Sequence, residues 1–389
     1  MAVPLPDAHT VNLVPPDLDE INLMIRGVAT AGAAPGGLTE VQRAVVNATV
    51  ESMSGYVVDV GGMDPLGPAE FAEAMRRRNL AFRERMVQLM LLLEMLLTPL
   101  PPEVTARVEQ YADALGVHED MLRVTHQIAR GSLGLALIDF ERSGYFQQML
   151  ERPPDHLHTE RALADAWEGC ADDPALAARW AALGDCPEGS LGNGVWRFYR
   201  ARGFSYPGMP GSAPVTLAQH DWMHVLADFG STVECEIEVF GFISRANDNP
   251  TGFSLLAMVL GLFETGYLFN AAKGFFEYDR GHFSRDAERM AVRLADAMAR
   301  GAKAAWWLND HARHSDVDFL GVDWFEYADW PVNQVRRYFG VPPKSAKAIE
   351  CGSVTAWEPG GISPFQYAHG REVVEAEGGV YDSYGAVPA

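Results

Sequence analysis

An all-α protein, two helical domains followed by an irregular C-terminal tail, is what this chain predicts, on three observations. Apolar residues recur at helical spacing between clusters of Gly and Pro along most of the 389 residues. Strand signals are thin: Val57-Val58-Asp59-Val60 is β-branched but too short to build a sheet, and no period-two alternation persists. With 48% hydrophobic residues, a chain of this length buries a large core and divides most naturally into two domains. The expected segments are an N-terminal arm at 1–37, a helical domain at 38–152, a helical linker at 153–185, a second helical domain at 186–342 and the tail at 343–389.

The opening MAVPLPDAHTVNLVPPDLDE holds Pro and Asp where a signal peptide would be basic and then apolar, so it reads as an extended arm. From Leu38 the pattern is helical, with breaks at Gly61-Gly62, Pro65 to Pro68, Pro99 to Pro102 and Gly116. The segment from Pro101-Pro102-Glu103 to Gly116 carries Pro at its start and Gly at its end, the asymmetry of a complete helix. Arg152-Pro153-Pro154 marks the linker. After it, GSLGNGVWRFYRARGF suggests a loop feeding a helix, and PGMPGSAP (207–214) a second loop. Helices are expected from there through about Asn309, and the glycines and prolines after residue 350 give the tail its irregular character.

Met86 to Leu97 and Phe253 to Ala272 raise the question of a membrane. The first is short for a span and contains Gln88 and Glu94; the second contains Glu264 and two internal glycines. Both read as buried helices, with peripheral membrane contact, or an apolar ligand against the second, left open. Four cysteines without a C-x-x-C pair argue against a disulfide framework or a zinc knuckle, so a cytoplasmic location is expected. A net charge of −21, from 31 basic against 52 acidic residues, repels phosphate backbones, so no nucleic-acid partner is expected.

The chemistry centres on Gln219-His220-Asp221-Trp222-Met223-His224. Two histidines four apart on a helix share one face, with Cβ atoms about 5–6 Å apart, close enough for both imidazoles to reach one ion. Asp221 flanks that face. Twelve further helical residues would carry Glu236 about 18 Å away along the axis. A reversal at Gly230, with Ser231 or Thr232 capping a new helix, would instead return Glu236 beside the pair. Mixed imidazole and carboxylate ligands suit a divalent ion, and an open position would make it catalytic. These ligands suit zinc, iron or manganese and do not choose among them; zinc is the first cofactor expectation, with magnesium also open.

His220, Asp221, His224 and Glu236 together fill the pattern H-D-x-x-H followed after eleven residues by Glu, and in this the chain resembles the Coq-four family of ubiquinone (coenzyme Q) biosynthesis proteins. EGSLGNGVWRFYRARGFSYP is similar to that family's upstream G-T-L-G loop and aromatic helix. Asp323-Trp324-Phe325, Pro331 to Arg336 and Gly340-Val341 are similar to its closing segment. The resemblance covers about residues 186 to 342. It implies a helical domain in which those four side chains hold a divalent metal and an apolar groove takes a polyprenylated aromatic or quinone-like molecule. The reaction implied is metal-dependent, oxidative decarboxylation at ring carbon 1 of a polyprenylated hydroxybenzoate, within an assembly of quinone-biosynthesis proteins at a membrane surface. Asp221 and Glu236 are the catalytic candidates in that reading, exchanging metal coordination for proton transfer. A homo-oligomer is the expected assembly. The leading helices loosely resemble tellurite-resistance-protein-B-like domains through LTEVQRAVV and PPEVTARVEQYADALGV. Family members are usually shorter, so the extra N-terminal half leaves room for a tailoring role in another aromatic pathway.

Rival readings use the same residues differently. A zinc metallohydrolase would take His220, His224 and Glu236 as ligands and Asp221 as base. An HD phosphohydrolase would leave His224 and Glu236 unexplained. A non-catalytic reading makes the domain a polyprenyl-lipid-binding scaffold. Around the motif, Asp228 is a candidate to orient an imidazole, Glu234 and Glu238 point away from Glu236 towards solvent or a partner, and Cys235 is a buried inert thiol. Residues 309–318, rich in Asp and His, read as a solvated loop, His156 and His158 as linker residues, and Trp306-Trp307 as core.

Overall fold

The structure, a computed structural model, describes residues 16–118, 120–131, 173–210, 212–213, 215–246, 252–265, 280–310 and 319–389. Among these residues every regular element is helical, and the β-type pairings are two isolated bridges. The all-α expectation holds.

The first half contains α1 (Leu18–Gly32), α2 (Glu40–Ser54), α3 (Pro68–Ala74), α4 (Leu80–Glu94), α5 (Pro102–Leu115) and α6 (Met121–Ala129). The arm expected at 1–37 is therefore helical from Leu18 onwards. Asp17 caps that helix by accepting from the Glu20 amide at 2.9 Å, and Ile21, Met24, Ile25 and Val28 form its buried stripe at helical spacing. Helix α5 begins with Pro102 and ends at Gly116, whose φ of 66° supplies the left-handed cap expected there.

The second half contains α7 (Pro174–Ala181), α8 (Leu191–Arg202), α9 (Val215–Ala218), α10 (Asp221–Leu226), α11 (Val233–Arg245), α12 (Gly252–Thr265), α13 (Ala287–Asp310) and α14 (Val332–Tyr338). Two more, α15 (Ala346–Glu350) and α16 (Pro364–Ala376), lie in the expected tail. That tail wraps onto the domain through these helices and the irregular chain between them. Helix α16 opens with a capping box of Ser363 and Gln366.

The two apolar segments that raised the membrane question cover each other. Residues 85–94 of α4 are buried all round, as is most of α12, and the two helices pack together. No helix of the described residues is long and apolar enough to cross a membrane. Residues 266–272 of the second segment, His156 and His158, and 311–318 of the polar cluster lie outside the described residues. Helix α13 lies against α11 on one side and α2 on the other, so the two halves meet through apolar faces. A Cβ on Gly301 would stand 2.1 Å from the Phe242 carbonyl oxygen, which shows how closely α13 and α11 approach.

The glycine-rich loop before α8 is tied to the chain before α14. Leu191 and Gly192 donate to the carbonyls of Trp330 and Ala328 at 2.9 and 2.8 Å, and Val332 donates to Gly189 at 3.0 Å. These bonds satisfy amides at the start of α8 and fix its axis. Gly194 then lets α8 cross α10 closely, since a Cβ there would meet Val225 at 2.7 Å. That crossing sets the C-terminal half of α8 against the H-D-x-x-H residues.

Candidate metal centre

Helix α10 is one and a half turns long. His220 occupies its N-cap position in helical conformation, so His220 and His224 share a face with ring centroids 5.4 Å apart. The helix ends at Leu226, and Asp228 adopts a φ of 70°, a left-handed conformation that Asp tolerates better than most residues. The chain reverses through Phe229 and Gly230, and Thr232 caps α11 by accepting from the Cys235 amide. The reversal places Glu236 back beside the histidines, one turn into α11.

Each imidazole is anchored by its Nδ1. In His220 that atom donates to the Leu217 carbonyl at 2.5 Å, and in His224 to the Gly230 carbonyl at 2.7 Å. A carbonyl oxygen only accepts, so both Nδ1 atoms carry hydrogen and both Nε2 atoms are left to face inward. There they meet carboxylates. His220 Nε2 lies 3.4 Å from Asp221 Oδ1 and 3.4 Å from Glu236 Oε2, and His224 Nε2 lies 3.3 Å from Glu236 Oε1. Ligand atoms of His220, Asp221 and His224 all lie within 4.8 Å of one another.

Burial and partners discriminate among the four residues. His224 is fully buried, and Glu236 and Asp221 are 4% and 7% exposed. His224 Nε2 and Glu236 Oε2 are both buried without a hydrogen-bond partner. Each has only a long contact of 3.3–3.4 Å to an opposing group of the cluster, and buried polar atoms held so loosely are costly unless something bridges them. Ligands at about 2.0–2.1 Å on a tetrahedron stand roughly 3.4 Å apart, so these separations fit a small divalent cation between the groups. Carbonyl-anchored Nδ1 atoms are the outer support such imidazole ligands ordinarily have.

Tyr199, from α8, completes the surroundings: its hydroxyl donates to Asp221 Oδ2 at 2.6 Å. Its ring stacks on Tyr206 with centroids 5.7 Å apart, and Phe198 stacks on His224 at 4.8 Å. Burial pushes the Tyr199 phenol well above its ordinary value, reinforced by the Asp221 charge beside it. Burial likewise raises Asp221, against the pull of the two imidazoles and the Tyr199 hydroxyl. For Glu236 burial also works upwards, yet the His224 and His220 imidazoles outweigh it and hold the carboxyl below the usual range. Burial works to lower His220, but the Asp221 and Glu236 carboxylates prevail and push it up to about 9. The site is thus a buried cluster of opposing charges, the kind of setting in which functional residues concentrate.

Several neighbours expected near the site have other work. Asp228 pairs with Arg336 at 3.1 Å and orients neither imidazole, because the helix stops before reaching it. Glu234 pairs with His282 Nδ1 at 2.9 Å. Glu238 is fully buried, bound to Arg293 at 2.6 Å and to the Ser353 hydroxyl, and so faces an internal partner rather than solvent. Cys235 is buried, and burial pushes its thiol up. The motif alone did not reveal Tyr199, Phe198, or the Leu217 and Gly230 carbonyls. The aromatic run WRFY was the one available signal for the first two.

No family model matches the chain, and no curated protein matches it. Among solved structures, the chain is similar to one provisionally named a ubiquinone biosynthesis protein from Nostoc punctiforme. The two are 17% identical over 65% of this chain and 96% of that one, with a TM-score of 0.29.

Proposed function

We propose that the protein binds one divalent metal ion through His220, Asp221, His224 and Glu236 and uses it to decarboxylate a polyprenylated hydroxybenzoate or related quinone precursor at ring carbon 1. The observation that carries the metal reading is the pair of imidazoles anchored at Nδ1, whose Nε2 atoms converge on the Glu236 carboxylate at 3.3–3.4 Å in the buried interior. The reaction class rests on the resemblance of residues 186–342 to the Coq-four family.

Bound there, the ion would supply Lewis acidity for charge developing on a ring carboxylate or phenolate. The chain's own groups do the rest. His220 and His224 are held by backbone carbonyls that keep their Nε2 atoms directed inward, and an ion there would take the place of any proton on His220 Nε2. Asp221 is held by Tyr199 at Oδ2, which leaves Oδ1 as the atom that would meet the ion or hold a proton. The Tyr199 tether also bears on the hydrolase alternative: an Asp221 fixed at Oδ2 is less free to act as the base for an attacking water.

The test is elemental analysis of dialysed wild-type chain beside His220→Ala and Glu236→Ala, with co-purifying lipid extracted for mass spectrometry. About one equivalent of metal in wild type and none in either variant supports the site. Carbon dioxide release from a prenylated hydroxybenzoate, dependent on that metal, supports the reaction. Equal metal in all three proteins sinks the site; metal-free protein that retains prenyl lipid points to the scaffold role.

A further inference from the structure

We infer that the segment after residue 342 is a clamp on the turn that orients His224, with Ser231, Gln366 and Arg202 as positioning residues. Its value to a metal rests on the reading above, but the clamp itself stands on hydrogen bonds independent of any ion.

The Gly230 carbonyl is what His224 Nδ1 binds. The position of that carbonyl depends on the tail. The Gly230 amide donates to the Val354 carbonyl at 2.9 Å, and the Ser231 amide donates to the Gly361 carbonyl at 3.0 Å. The Ser231 hydroxyl donates to Gln366 Oε1 at 2.7 Å, and Arg202 Nε donates to that same hydroxyl. Arg202 also donates to the Gly361 carbonyl at 2.9 Å and the Ala356 carbonyl at 3.3 Å. All three positioning side chains are at most 2% exposed.

The second support of His224 leads to the same place. Phe198 stacks on the imidazole, and the Arg202 guanidinium lies 3.8 Å from the Phe198 ring centre. The edge and the face of His224 are therefore both held by groups that end on residues 354–366. The contact leaves no slack: a Cβ on Gly230 would stand 2.8 Å from Gly361 Cα, and one on Gly361 would stand 2.1 Å from the Thr355 carbonyl. Buried polar bonds of this kind fix geometry, since breaking one leaves its partner unsatisfied.

The test uses the full chain labelled with ¹⁵N-histidine, first without metal. Its readout is the hydrogen-bonded Nδ1–H resonance of His224, assigned by its absence from His224→Gln. Gln366→Leu, which removes the Ser231 acceptor, is expected to broaden or shift that signal, and Gln366→Glu, which keeps an acceptor oxygen, to restore it. Circular dichroism checks that the helices persist; should Gln366→Leu fail to fold, Ser231→Ala makes the same break with a smaller change. Zinc affinity is then measured by chelator competition, with a loss of about 10- to 100-fold expected for Gln366→Leu, as for other groups that orient metal ligands. An unchanged His224 resonance overturns the clamp whether or not zinc binds. A lost resonance in a protein whose wild type takes no zinc keeps the clamp and removes the metal reading. A lost resonance with undiminished zinc affinity overturns the clamp's role in metal binding.

Discussion

His224 Nε2 stands 3.3 Å from Glu236 Oε1, and the two residues reach each other only because the chain reverses between them at Gly230. One is fully buried and the other nearly so, so neither can turn to water for a substitute partner.

That mutual dependence makes their substitutions non-additive. Glu236→Gln and His224→Gln, each measured by urea denaturation without metal, should destabilise the chain by about 1–3 kcal/mol, and the double variant should cost less than the sum. Simple additivity would mean that the two groups do not interact.

Tyr199→Phe deletes one hydroxyl and leaves Asp221 Oδ2 without its buried donor. We expect a stability loss of about 1–3 kcal/mol and weaker zinc binding by roughly 10-fold or more. Unchanged zinc affinity would show that Asp221 needs no tether to serve the site.

Glu94 supplies a pH prediction away from the site. Its carboxyl is fully buried, and burial pushes it up to about 8, against the weaker pull of a Thr125 hydrogen bond and the Arg107 charge. The folded chain then keeps this proton where the unfolded chain, at 4.5, has released it. Stability from this group is accordingly full below the unfolded value and is lost as pH rises towards 8. Glu94→Gln, which does not titrate, should match wild type near pH 4 and exceed it by a few kcal/mol, on the order of the shift, near pH 8. Parallel urea midpoints across that range decide the matter.

Two glycines in helices separate rigid from forgiving contacts. Gly301→Ala drives a Cβ to 2.1 Å from a carbonyl of α11, whereas Gly261→Ala meets the tip of the Met95 side chain at 2.6 Å. The first should cost about 1–3 kcal/mol or more, because backbone must move. At Gly261, Met95 can swing aside and the gain in helix propensity, about 1 kcal/mol, offsets the crowding. Thermal midpoints of the two variants should therefore differ clearly in the order stated.

How much of this was legible in the sequence follows from distance along the chain. His220, Asp221, His224 and Glu236 lie within one short stretch, and Gly230 with Thr232 announces the reversal that joins them, so local signals suffice. Tyr199 bonds a residue 22 positions away, and no periodicity encodes that. Asp228, four residues beyond His224, would orient an imidazole only on a continuous helix, and its positive φ ends that continuation. Helix α1 was hidden by the proline-rich opening, although Asp17 and the stripe from Ile21 to Val28 carried the signal. The capping box at Ser363 and Gln366 was equally present in the tail, masked by the glycines around it.

The Ser231–Gln366 bond spans 135 residues of chain, whereas the four candidate ligands emerge from the ribosome almost together. A nascent chain thus holds a complete donor set long before the residues that fix its shape have been made. Closing so long a loop costs little more entropy than closing one of half the length, but it happens late, after the local helices have formed. On the proposed metal reading, ion capture and final ligand geometry would be separable in time, and a chain stalled before residue 366 would present the four side chains without their frame.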